Sequence, residues 1–313
     1  MAELTLTRPP RRFELGRGRV LLRMRSARPY LYLAPFIIVL GAFTFWPLLQ
    51  TLLLSFQAWN LNPDIPARFV GFDNYRGVIA SPLFGAALAN TALYLLAAIP
   101  LKVILPIPVA IFIWSLGQRG EAYRVIVFLP TLVSFVAASV AWVWLLSPLG
   151  GYLALWLQTF GIRMAGLLTN ADTALWAILG IATWKGFGFN VLLYLAGLTR
   201  IDRSLIEAMR IDGATDARIV RDLIVPMLGP SIVLVLITTV IFTMQQVFTP
   251  IDVLTKGGPA NSTTNLFYMT YQYTFVGFNV GYGAAGTVIL CVLVFVVAFV
   301  KFRIADRLVH YTD

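Results

Sequence analysis

The chain has 313 residues, 59% of them hydrophobic and only 12% charged, with a formal net charge of +10. A charged fraction about half the usual one cannot coat a soluble globule of this length, so the composition excludes an ordinary soluble domain and points to an integral membrane protein. A single cysteine and a single histidine leave nothing from which to build a disulfide, zinc or iron–sulfur site.

In chain order, residues 1–30 form a basic arm carrying Arg8, Arg11, Arg12, Arg17, Arg19, Arg23, Arg25 and Arg28. It lacks the aromatic interleaving of a nucleic-acid-binding segment and leads straight into apolar sequence, so it reads as a basic cytoplasmic arm with no nucleic-acid role. Six apolar stretches follow, at 31–56, 85–114, 125–146, 174–198, 231–249 and 281–302. Each approaches the roughly 20 residues that a helix needs to cross a bilayer. The first exceeds the apolar core of a signal peptide, and no small-residue cleavage site follows it, so it is expected to stay as an anchor. None alternates with the two-residue period of an outer-membrane strand. The expected fold is therefore all-α, with six transmembrane helices filling a domain at 31–302 and a tail at 303–313.

With six crossings the two termini share a side. That side carries the arm, Arg119 and Arg124, the arginines of the 200–226 loop, and Lys301, Arg303 and Arg307 in the tail. The other side holds only Arg68, Arg76, Arg163 and Lys256. Basic residues favour the cytoplasm, so both termini are expected there.

Several chemistries are missing. None of the four lysines, Lys102, Lys185, Lys256 and Lys301, follows a glycine, so no phosphate-cradling nucleotide loop exists. No Asp or Glu falls in the middle of a predicted span, which disfavours a proton-coupled carrier working through intramembrane carboxylates. The chain also has no catalytic triad and no metal cluster. The protein is expected to use an outside source of energy or none.

The 200–226 loop is the most informative segment. Ser204-x-x-Glu207 reads as a capping box that opens a short helix. Asp212-Gly213 ends that helix, because glycine accepts the left-handed turn. A second helix over 216–223 is expected, closed by Pro226. Taken alone, this is a capped hairpin joining two spans. Yet Glu207-Ala208, Asp212-Gly213-Ala214 and Val225-Pro226 stand at the spacing of the cytoplasmic coupling motif of ABC importer permeases, and the chain resembles that family here. Met209 replaces the motif's usual second alanine and Val225 its usual leucine, both keeping the apolar character.

The resemblance runs from about residue 30 to 311. Gly71-Phe72-Asp73-Asn74-Tyr75, Phe128-Leu129-Pro130, Thr183-Trp184-Lys185 and Asp252-Val253-Leu254-Thr255-Lys256-Gly257-Gly258-Pro259 are similar to segments of the carbohydrate uptake group, of the maltose-permease type. The segment from Ile251-Asp252 to Tyr273 and the pair Phe302-Arg303 resemble the first permease of sn-glycerol-3-phosphate importers. The family implies a multi-pass protein of the bacterial cytoplasmic (inner) membrane that translocates a sugar or sugar-like polyol. It also implies a homologous second permease, two ATPase subunits and an extracellular or periplasmic solute-binding protein. No cofactor belongs to this chain; ATP and Mg belong to the ATPase subunits, whose grooves would receive Glu207, Ala208, Asp212, Gly213, Ala214 and Pro226.

The same resemblance places Lys185, Gly186, Phe189, Thr243 and Gln246 along the substrate passage. Helical spacing independently puts the first three on one face and the last two on another. An aromatic face beside hydroxyl and amide groups suits a polyol. Thr243 and Gln246 could equally tie helices together, and Lys185 could pair with carbonyls or with a partner permease. Lys102 has no role from sequence beyond reaching for the interface or pairing between helices. Two other readings of the whole remain open, a membrane scaffold that recruits a cytoplasmic partner and a self-sufficient secondary carrier.

Overall fold

A computed structural model describes residues 32–62, 64–147, 150–161 and 166–308. The basic arm, Arg163 and the end of the tail with His310 lie outside the described residues. The chain divides into two units, Met1–Leu53 and Leu54–Asp313. The first holds nearly all of α1 (Tyr32–Leu54). Within α1, Gly41–Phe45 is wound one residue wider than an α-helix, and Trp46 N–H bonds to Gly41 O. Pro47 follows directly and has no N–H to continue the ladder.

The second unit opens with a two-stranded antiparallel ribbon, β1 (Gln57–Ala58) and β2 (Arg68–Phe69), in register Gln57 to Phe69 and Ala58 to Arg68. This ribbon is the one departure from an all-helical chain among the described residues. Helices α2 (Asp73–Ala80), α3 (Pro82–Ser115), α4 (Gly117–Leu132), α5 (Phe135–Leu145) and α6 (Tyr152–Thr159) follow. After them come α7 (Ala171–Leu198), α8 (Arg203–Ile211), α9 over 216–227, α10 (Gly229–Thr255), α11 (Leu266–Tyr271) and α12 (Val280–Leu308).

Among the described residues, α1, α3, α7 and α10 are each long and apolar enough to cross a membrane alone. In α12 the described apolar part, Val280–Val296, is shorter. The apolar stretch expected to cross at 125–146 is not one continuous helix: α4 and α5 meet at a bend of 93°. Pro130 withholds an N–H inside α4, and Val133 and Ser134 are both extended. Ser134 then starts α5 afresh, its hydroxyl accepting from Ala137 N–H at 3.1 Å. Both halves are apolar, so hydropathy passes over the break.

Helix α3 shows how proline shapes the interior. The segment Ile99–Ile104 is wound wide, with Leu105 N–H reaching Pro100 O at 2.9 Å. Pro106 has no N–H for the carbonyl of Lys102 four residues back. Asn190 of α7 fills that gap, its Nδ2 donating to Lys102 O at 2.6 Å, and one turn on Tyr194 donates to Val103 O at 2.9 Å. A buried acceptor left empty would cost about 1–3 kcal/mol, so these two side chains fix α7 against α3.

At one end of the unit, Asn74 donates to Ser55 O and Gln57 O, both at 2.9 Å, and Asn90 donates to Asn261 O and Thr264 O. These bonds join α2, the ribbon, the start of α3 and the loop after α10. At the other end, the apolar side chains of the 200–226 segment are part of the core. Ile206, Ile219, Ile224 and Leu228 pack in one buried cluster with Ala110, Ile113, Val191, Tyr194, Leu198 and Val235.

Candidate coupling loop and solute passage

The loop between α7 and α10 is a preformed pair of helices. Its cap differs from the expected box. Asp202, not Ser204, is the N-cap of α8: it is extended and its carboxylate accepts from Ser204 N–H at 2.9 Å. Ser204 already lies inside the first turn, so the Ser–Glu spacing was the wrong frame by two residues. That backbone N–H, with the Ser204 hydroxyl, holds the Asp202 carboxyl below its ordinary range.

Gly213 has φ +80°, the left-handed turn that its sequence position required, and Gly213 N–H closes on Arg210 O at 3.0 Å. Arg210 also meets Asp216 at 3.2 Å across the turn. Thr215 caps α9, and the helix does not stop at Pro226 as expected. Instead Val220–Ile224 widens by one residue, so that Val225 N–H bonds to Val220 O and Pro226 enters where no donor is needed. On this helix the Arg221 guanidinium, joined by Arg218 one turn away, holds Asp222 below the usual carboxylate range.

Glu207, Ala208, Asp212, Gly213 and Pro226 are exposed and Ala214 is half-buried. Ile211 at the tip of α8 is 87% exposed, beside the turn. The opposite face is anchored by Ile206 and Ile219 in the helical core. A cavity of about 380 Å³ separates α8 from the α3–α4 turn, lined by Trp114, Gly117, Arg203, Glu207 and Arg210 among others.

The passage candidates do not all come together. Gly186, Phe189 and Gln246 line one small cavity, joined there by Lys102, Asn190, Thr238, Thr239 and Phe242. Lys102 Nζ donates to Gln246 Oε1 at 2.7 Å. A side chain at Gly186 would place its Cβ 3.3 Å from that same oxygen, so glycine leaves room for the amide. Thr243 is fully buried and turns back on its own helix, donating to Thr239 O at 2.5 Å.

Lys185 is separate from that cavity. Its Nζ donates to the carbonyls of Pro130 at 3.4 Å, Thr131 at 3.2 Å and Val133, and sits 4.4 Å from the centre of the Phe135 ring. Thr131 returns a bond to Lys185 O at 2.9 Å. The cation therefore serves the carbonyl end of α4, where the helix dipole is negative. Lys185 and Phe189, four residues apart, do lie about 40° apart on one helical face, but the Lys185 side chain is drawn to the open carbonyls at the end of α4 and so leaves the cavity that Gly186 and Phe189 line. Lys102, Asn190 and Thr239 were missed as lining. The visible signal was Pro106 in one span and a lone Asn in another, which only folding shows to be partners.

Comparison with known proteins accords with this geometry. The family described as Binding-protein-dependent transport system inner membrane component matches residues 77–310. The sn-glycerol-3-phosphate transport system permease protein UgpA of Rhizobium meliloti is 33% identical over 288 residues, covering 90% of this chain and 96% of that protein. UgpA of Pectobacterium atrosepticum is 30% identical over 284 residues, covering 90% and 95%. The fold is shared with a chain of a bacterial ABC transporter involved in the import of the acidic polysaccharide alginate, at a TM-score of 0.81 and 22% identity, over 95% of this chain and all of that one. The chain thus belongs to the inner-membrane components of binding-protein-dependent transport systems: it is a multi-pass permease subunit of an ABC importer, partnered by a solute-binding protein and by ATPase subunits that hydrolyse the ATP.

Proposed function

We propose that this permease crosses the membrane six times with both termini cytoplasmic, pairs with a homologous second permease, and is driven by two ATPase subunits docked on the 200–226 loop. Glu207, Ala208, Asp212, Gly213, Ala214 and Pro226 form the docking face. The solute is a sugar-like polyol that passes Gly186, Phe189 and Gln246. Relatives named as sn-glycerol-3-phosphate permeases make that polyol phosphate the first solute to test.

One observation carries this reading. The loop exposes its polar face and turn while Ile206, Ile219 and Ile224 are embedded in the core that also holds α3, α7 and α10. A push on such an element reaches the three helices around the small cavity, whereas a solvated hairpin would absorb it.

Gly213→Val tests the coupling. A Cβ at Gly213 meets nothing within 4 Å, so the substitution acts only through its φ of +80°. That strain costs about 1–3 kcal/mol. In an importer reconstituted with its ATPase subunits and binding protein, the variant should insert and assemble but lose most ATP-driven uptake of sn-glycerol-3-phosphate. Uptake equal to wild type would remove the loop from the mechanism. Ion-driven uptake by the isolated chain would make it a secondary carrier, and ATPase capture without any polyol uptake would make it a scaffold.

A further inference from the structure

We propose that Lys102, together with Gln246 and the hydroxyl of Thr239, forms a site inside the helical bundle that takes one anionic oxygen of the solute, from a phosphate or a carboxylate. The site makes the importer prefer acidic over neutral polyols. This rests on the reading of Gly186, Phe189 and Gln246 as passage lining.

Three independent observations lead to it. The first is a charge without a counter-charge. Lys102 is 2% exposed, and among the described residues none of the five ion pairs includes it. Its recorded acceptor is one neutral amide oxygen, Gln246 Oε1, although an ammonium has three N–H groups to place. Lys185, also buried, is the contrast: three carbonyls and an aromatic ring surround its Nζ. The second observation is Thr239. Its Oγ1 is buried without a hydrogen-bond partner, and the residue lines the same cavity. Thr239 thus brings a polar group with an unmet hydrogen bond to the wall of the cavity that Lys102 also lines.

The third is space and rigidity. The cavity holds about 20 Å³, which suits a single water-sized group such as one oxyanion oxygen. Phe189 and Phe242, 43% and 42% exposed, are the lining residues most open to the outside, where the rest of a polyol would lie. Lys102 itself lies in the wide-wound turn Ile99–Ile104, and Asn190 fixes its carbonyl. Such turns often mark functional positions. A neutral occupant would leave the buried charge uncompensated, and an anion would not.

The test uses the assembled importer in phosphatidylcholine vesicles, so that no anionic lipid is present. Cys291, the lone cysteine, is replaced by Ala and a reporter thiol is introduced as Thr238→Cys at the cavity wall. Alkylation of this chain by N-ethylmaleimide is timed with sn-glycerol-3-phosphate, inorganic phosphate or glycerol. With Lys102 present, both anions should slow alkylation about ten-fold, as expected for a charge-assisted contact, and glycerol should not. Lys102→Met should abolish that protection, and Lys102→Arg, which keeps the charge, should retain it. Equal protection in Lys102→Met, or no anion protection in any variant, overturns the proposal and leaves the cavity to a buried water. Parallel uptake measurements separate the two readings. Lys102-dependent protection by phosphate without sn-glycerol-3-phosphate uptake keeps the site and discards that solute. Uptake without Lys102-dependent protection keeps the solute and discards the site.

Discussion

Lys185 donates to the carbonyls at the end of α4, where Pro130 and the break before α5 leave acceptors that no helical N–H reaches. In a membrane interior such acceptors have no water to turn to, so the lysine is a structural pin for the bent pair. Lys185→Met keeps the volume but removes the donors. The expected loss is about 1–3 kcal/mol of stability. It should appear as a lower midpoint of thermal aggregation for the solubilised complex, with uptake per assembled complex unchanged. An unchanged midpoint with lost uptake would instead return Lys185 to the passage. From sequence alone the lysine was visible and its depth was clear. Its partners were not, because they come from a backbone break that leaves no hydropathy mark.

Close approach between α4 and α7 depends on one glycine. A Cβ at Gly188 would lie 2.2 Å from Val127 O and 2.7 Å from Phe128 Cα, both backbone atoms that no rotamer change can move. Gly180, two turns away on the same helix, has nothing within 4 Å of its would-be Cβ. Gly188→Ala should therefore force the helices apart, costing about 1–3 kcal/mol from overpacking. Gly180→Ala should be neutral or slightly stabilising, since alanine is the better helix former. The monodisperse fraction on size-exclusion chromatography checks both, and equal yields would remove the close packing of α4 on α7. At this scale the sequence was legible wherever one local cause decides. Gly213 makes its turn where expected. It was illegible where two elements must meet. Asn190 reads as an ordinary polar residue until Pro106 on another helix withholds its N–H. The Asp202 cap is a different case, a choice between two nearby residues that both suit an N-cap.

The bent pair decides how many times the whole chain crosses the membrane. The α3–α4 turn and α8 share the walls of one cavity, so both stand at the same end of the second unit. Between them α7 runs its full 28 residues from one end to the other. The six crossings proposed above require α4 and α5 together to traverse the bundle despite their 93° bend. The distribution of basic residues favours that proposal, since on it Arg119, Arg124, Arg200, Arg203, Arg210, Arg218 and Arg221 share one side, the one expected to be cytoplasmic. In a Cys291→Ala background, Arg119→Cys should resist a membrane-impermeant thiol reagent in intact cells and react after permeabilisation. Lys256→Cys, an exposed position beyond α10, should react in intact cells. Three crossings separate these positions if α4–α5 is a broken span, and two if it is a re-entrant loop. Both thiols on one side would mean five crossings and an even-handed split of termini, and would place the coupling loop away from the ATPase it is proposed to meet.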